Sequence, residues 1–152
     1  MAGRTRGALT PKFAFWDTSA LVPLCVRQSN TPNALALHNQ YQAVVWWATP
    51  VEIASALARL LRIRSLSPRD WVKARDLASQ LADTWSVIQP TDAVRSKAIQ
   101  IVERYDLRAA DSLQLAAALE WCQDNPQGRI LLTADDKLLQ ASILAGFAAA
   151  RV

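Results

Sequence analysis

Between Leu113 and Cys122 the chain reads LQLAAALEWC, with only Gln114 and Glu120 polar. A helix that is apolar nearly all round is normally buried. Yet Asp111 stands at the mouth of this one, shortly after Arg108. The rest of the chain has a regular rhythm. Short apolar runs alternate with longer segments of helical periodicity, which is the pattern of an α/β sheet with crossover helices.

The runs at 13–16 (FAFW), 43–47 (AVVWW), 85–89 (WSVIQ) and 129–133 (RILLT) predict strands, and 147–152 (FAAARV) predicts a last edge strand. Helices are predicted from Thr18, with Pro23 inside and able to kink it, and over 31–41, 49–63, 67–82, 91–105 and 135–145, besides the buried segment after Asp111. Thr49, Pro50 and Glu52 together look like a capping box with proline at the first helical position. Ser67-Pro68 opens the next helix in the same way, and Gly146 ends the last one. Parallel strands joined through helices give right-handed crossovers. In such sheets the ligand site lies outside the carboxyl ends of the strands.

The 152 residues suit one domain with a real core. We place a short basic tail at 1–12, carrying Arg4, Arg6 and Lys12, ahead of a single domain at 13–152. A composition of 51% hydrophobic and 20% charged residues excludes a disordered chain. The net charge of +4 permits a polyanionic partner without requiring one. Cys25 and Cys122 are too few for a disulfide framework or a metal knuckle and read as buried apolar residues of a reducing compartment. No run of 18 apolar residues spans a membrane. The basic start lacks a clear cleavage site, so a cytoplasmic protein is expected.

Four acids stand where a strand ends or a helix begins: Asp17, Glu52, Asp111 and Asp135. Each has a local explanation. Asp17 and Asp135 can be N-caps, Glu52 can complete the capping box, and Asp111 can pair with Arg108 or complement the helix dipole. In a parallel sheet, however, all four share one edge. Two carboxylates about 4 Å apart repel by roughly 4 kcal/mol at an effective dielectric near 20. Such a cluster becomes favourable when it binds a hard divalent cation through oxygen. Mg²⁺ or Mn²⁺ fits. Zn²⁺ fits poorly, because the lone His38 has no partner ligands and reads as packing.

The segments FWDTSALVPL (15–24), TPVEIASAL (49–57), LRAADSLQLAAAL (107–119) and LLTADDKLLQAS (131–142) resemble, in order, the four acidic motifs of PIN-domain nucleases. The chain length is most similar to the toxins of VapBC-type toxin–antitoxin modules. The resemblance implies a three-layer α/β/α sandwich around a central, mainly parallel sheet. It implies an Mg²⁺- or Mn²⁺-dependent endoribonuclease whose catalytic and metal-binding acids are Asp17, Glu52, Asp111 and Asp135, supported by the hydroxyls of Ser19 and Thr133. Asp136 is the neighbouring alternative for the fourth acid, and the T-x-D spacing favours Asp135. The resemblance also implies a homodimer and a small cognate antitoxin.

An acidic site repels phosphate, so RNA contacts must lie elsewhere. Arg59, Arg62, Arg64, Arg69, Lys73 and Arg75 form the densest basic run, interrupted by Asp70 and Asp76, and are candidates for tracking phosphates. The apolar stripe of Ile53, Ala56, Leu57, Leu60 and Leu61 reads as core, and the toxin resemblance implies an apolar groove there for the antitoxin's helix. The rival readings are a PIN-like module that binds RNA or protein without cutting, and a phosphoacceptor receiver. The latter needs a second acid after the first strand and an aspartate after a middle strand, and this chain has neither.

Overall fold

The computed structural model describes residues 10–152; Arg4 and Arg6 of the expected tail lie outside the described residues, and Lys12 is exposed. In chain order the elements are β1 (Phe13–Trp16), α1 (Thr18–Cys25), α2 (Thr31–His38), β2 (Gln42–Trp46), α3 (Thr49–Arg62), α4 (Pro68–Ala82), β3 (Ser86–Ile88), α5 (Asp92–Arg104), α6 (Ala109–Trp121), β4 (Ile130–Thr133), α7 (Asp136–Ala145) and β5 (Ala148–Arg151).

Among the described residues the strands pair in the order β3-β2-β1-β4-β5, and every pairing is parallel. Alternation along the strands divides the core into two layers. Ala14, Trp16, Ala43, Val45 and Leu132 pack with α1 to α4 on one face. Phe15, Val44, Trp46 and Leu131 pack with α5, α6 and α7 on the other. The three-layer α/β/α arrangement read from the sequence is the one the chain forms. Both sheet faces are covered, as an all-parallel sheet requires. None of the described helices is long and apolar enough to cross a membrane.

The connections leave β1 in opposite directions: the chain builds outward through β2 and β3, then returns to place β4 and β5 on the far side of β1. The strand order therefore reverses between β1 and β4, and the crevice at such a reversal is where ligands bind in open α/β sheets. The backbone N–H of Asp17 donates to the Leu132 carbonyl at 2.9 Å, so the strands stay joined up to that crevice.

Several local expectations change. The capping box does not form. Ala48, with φ −81° and ψ −4°, takes the cap position of α3, so Thr49 is already helical. Its hydroxyl is buried without a partner among the described residues. The Glu52 carboxylate is thereby released from capping. α2 ends at His38 rather than 41, and His38 packs edge-on against Trp16 with ring centroids 5.9 Å apart. Arg108 caps α6 through its backbone without a side-chain bond, and no ion pair joins it to Asp111 among the described residues. Gly146 does end α7, with φ 107° in the left-handed region that glycine tolerates. Cys25 and Cys122 are both buried and free.

Candidate active site

Asp17 follows the last residue of β1 and is only 3% exposed. Its Oδ2 collects three donors: the Ser19 hydroxyl at 2.5 Å, the Thr133 hydroxyl at 2.9 Å and the Ser19 backbone N–H at 3.3 Å. The two hydroxyls are also acceptors. Ser19 Oγ takes the Ala134 N–H at 2.8 Å, and Thr133 Oγ1 takes the Asp135 N–H at 3.0 Å. They thus tie the start of α1 to the turn after β4. No donor among the described residues reaches Asp17 Oδ1.

Glu52 repeats the arrangement from α3. Its Oε2 accepts the Thr18 hydroxyl at 2.6 Å and the Gln114 amide at 2.8 Å. The Gln114 amide also reaches Thr18 Oγ1 at 3.1 Å. Oε1 has no donor among the described residues. Each carboxylate therefore has one oxygen saturated and one spare.

Asp111 occupies the first turn of α6 and is half-buried. Asp135 caps α7, its Oδ1 accepting the Leu138 N–H at 2.7 Å. The local cap readings of Asp17 and Asp135 thus hold, and the same two residues also line a cleft of about 380 Å³ together with Glu52 and Asp111. Ser19 and Arg59 are on its wall as well. Asp136 lies on a neighbouring cleft and binds Arg151 instead.

The electrostatics reflect the crowding. Burial pushes the Asp17 carboxyl up to about 6, the Ser19 and Thr133 hydroxyls oppose that rise, and the Asp111 and Glu52 charges add to it. Burial also raises Asp111, with Asp135 and Glu52 reinforcing the rise and Arg108 resisting it. Among the described residues, no three His, Cys, Asp or Glu side chains stand close enough to hold one ion by themselves. The oxygen-only donor set with spare Asp17 and Glu52 oxygens fits a cation that keeps several of its own waters, which is the habit of Mg²⁺.

The basic run read from the sequence is divided by the fold. Only Arg59 reaches the acidic cleft. Arg75 lies over the Trp71 ring at 4.7 Å and faces a separate apolar groove between α3 and α4. Lys73 approaches Asp70 at 3.9 Å. Arg62 and Arg69 are exposed, and Arg64, with φ 59°, sits in the turn after α3. Thr18 and Gln114 are absent from the expected site set. Gln114 did leave a signal, as the one polar residue between Leu113 and Leu119.

The PIN-domain family model matches residues 14–144, nearly the whole chain and a span that contains all four acidic segments. The chain belongs to the PIN-domain family. No curated protein sequence matches this PIN domain. Its fold is similar to that of a chain of a toxin–antitoxin complex from Klebsiella pneumoniae, at TM-score 0.57 and 15% identity, covering 82% of this chain and 88% of that one. It is similar to PAE2754 from Pyrobaculum aerophilum at TM-score 0.61 and 21% identity, covering 96% and 93%. It is also similar to FitAcB from Neisseria gonorrhoeae at TM-score 0.62 and 18% identity, covering 89% and 96%.

Proposed function

We propose that this PIN domain is an Mg²⁺- or Mn²⁺-dependent endoribonuclease and the toxin of a type II toxin–antitoxin module. The observation that carries the reading is the pairing of Asp17 and Glu52. Each has one oxygen held by donors and one spare, on a cleft shared with Asp111 and Asp135. Asp17 and Asp111 are assigned to hold the cation. When bound there, such a cation would supply an activated water and charge neutralisation at the leaving oxygen of a phosphodiester.

The chain's own residues do the rest. Ser19 and Thr133 keep Asp17 from rotating and oppose its protonation. Glu52 and Asp135 accept hydrogen bonds from water at the cleft and set its direction. Arg59, the basic residue on the cleft wall, draws a phosphate toward an otherwise repulsive surface. Products with 5′-phosphate and 3′-hydroxyl ends are expected.

The family and the likeness to a chain of a toxin–antitoxin complex support a small antitoxin as partner. The groove of about 250 Å³ between α3 and α4, with Ile53, Leu57 and Trp85 on its walls, suits an apolar helix face. An antitoxin arginine at the carboxylates would satisfy the charge that metal otherwise satisfies. A cytoplasmic homodimer completes the assignment.

The test is RNA cleavage by purified protein with Mg²⁺, with EDTA, and with Asp17→Asn or Asp111→Asn. Cleavage that needs Mg²⁺ and disappears in both variants is expected. Undiminished cleavage by folded, contaminant-free variants would sink the assignment and leave a PIN module that binds without cutting. Mapping new 5′ ends after induction in cells then identifies the RNA.

A further inference from the structure

Gln114 is 1% exposed, in a stretch of α6 where Leu115, Ala116, Ala117 and Ala118 are fully buried. Packing alone favours an apolar residue there. Its Oε1 has no partner among the described residues, and a buried acceptor left unsatisfied is destabilising. The amide end does something directional instead. Nε2 donates to Glu52 Oε2 and to Thr18 Oγ1, while the Thr18 hydroxyl donates to the same Glu52 oxygen. Asp111 and Gln114 are three positions apart on one helix, so they share a face. One turn of α6 thus puts a carboxylate on the cleft, and the next turn reaches the carboxylate that α3 brings to it.

We propose that Gln114 is a positioning residue. With Thr18 it fixes the Glu52 carboxylate through Oε2, so that Oε1 is offered to the cleft in a single orientation. The proposal rests on the nuclease reading above. It explains why a polar side chain with an unmatched acceptor occupies an otherwise apolar stretch of the helix: the arrangement serves the site at the expense of the core. Glu52 without these two donors can rotate, and the cleft then loses one ordered oxygen for a cation's water shell.

The experiment titrates Mn²⁺ into the full chain and reads free Mn²⁺ by electron paramagnetic resonance, alongside urea unfolding of each variant without metal. Partners of metal-ligating groups typically change affinity by about 10–100-fold, and Glu52, which meets a cation through its water shell, belongs at the low end of that range. Gln114→Leu is therefore expected to weaken Mn²⁺ binding about tenfold, with an unfolding midpoint at or above that of the parent chain. Thr18→Val is expected to weaken binding likewise. Thr18→Ser, which keeps the hydroxyl, is expected to restore it. Gln114→Leu together with Thr18→Val should weaken binding by less than the product of the single effects, because both donors act on one oxygen.

Unchanged Mn²⁺ affinity in Gln114→Leu, or an unfolding midpoint that falls while affinity holds, overturns the proposal and makes Gln114 a structural residue. If Thr18→Ser fails to restore binding, the Thr18 part is overturned. Should the parent chain bind no Mn²⁺, or Asp17→Asn bind it equally well, the nuclease reading fails and takes this inference with it. Normal binding by the parent chain, loss in Asp17→Asn and no change in Gln114→Leu remove this inference alone.

Discussion

Thr133 and Asp17 lie 116 positions apart in the chain, and the Thr133 hydroxyl donates to Asp17 Oδ2 at 2.9 Å. The same oxygen of Thr133 accepts the Asp135 N–H. One threonine therefore joins the first acid of the cleft to the last. Thr133→Val keeps the shape but removes both roles. It leaves a buried carboxylate short of a donor, which costs about 1–3 kcal/mol. The loss is expected to be larger at pH 7.5 than at pH 4.5, because only the ionised Asp17 depends strongly on the missing donor. Urea midpoints at the two pH values check this.

The raised carboxyl of Asp17 has a stability consequence with a definite sign. Its value moves from 3.8 to about 6 on folding, so between those pH values the folded state holds more protons than the unfolded one. Stability from this group is therefore fully present below about pH 4 and falls as pH rises toward 6. Above that it levels off with a penalty of roughly 3 kcal/mol relative to acid. Other carboxylates add slopes of the opposite sign, so the informative quantity is the difference between the parent chain and Asp17→Asn. Without metal, Asn is expected to stabilise the protein at pH 7.5 and to have little effect at pH 4. Identical pH profiles for the two proteins would contradict the assignment.

Metal should reverse that penalty. A cation that binds the ionised Asp17 competes with the proton, and a ligand that binds only the folded state stabilises by mass action. Mg²⁺ is expected to raise the melting temperature at pH 7.5, to do so much less at pH 5, and to leave Asp17→Asn unmoved. Differential scanning calorimetry with Mg²⁺ or EDTA measures all three.

The sheet was legible from the sequence because both of its faces are buried. FAFW, AVVWW and RILLT had to be strands between helices, and their alternation separates Phe15 from Trp16 into opposite layers. The edge strand β3 was harder, since Ser86 and Val87 are exposed and carry little pattern. The four acids were legible because strand ends and helix starts share an edge. Thr18 and Gln114 were not, because a hydroxyl beside Asp17 and one amide in an apolar helix acquire meaning only when α1, α3 and α6 meet. The capping box at Thr49 misled for a related reason. Its motif is local, while Ala48, two residues past the end of β2, already has helical φ and ψ and leaves Thr49 inside the helix.

The basic run shows the same limit, and its division leads to a prediction. Arg59 alone reaches the acidic cleft, while Arg75 is occupied with Trp71 and Lys73 leans toward Asp70. Arg59→Ala is expected to weaken RNA binding by about 1.5–3 kcal/mol, in the range of a charge-assisted contact. Reversing the charges of Arg62 and Arg64 together should act mainly through long-range attraction, and its effect should vanish at high salt. Filter binding at two salt concentrations separates the two. A larger salt-resistant loss from the Arg62 and Arg64 reversal would move the RNA path away from Arg59.

The burial of α6 holds Asp111 in place, and this too can be tested. Ala116, Ala117 and Ala118 are fully buried and small, which lets α6 lie close to the sheet and to α5. Ala117→Leu adds three carbons where there is no room and is expected to destabilise the fold by about 1–3 kcal/mol. The displacement must be taken up by the helix as a body, because interiors are close-packed and transmit strain. Its first turn carries Asp111 and its second carries Gln114. Mg²⁺-dependent stabilisation should therefore fall along with stability in Ala117→Leu. Leu144→Ala, on the exposed side of α7 at 73% exposure, should change neither. An Ala117→Leu protein that is destabilised yet binds Mg²⁺ with parental affinity would show that Asp111 is held by its own first turn and not by the buried body of the helix.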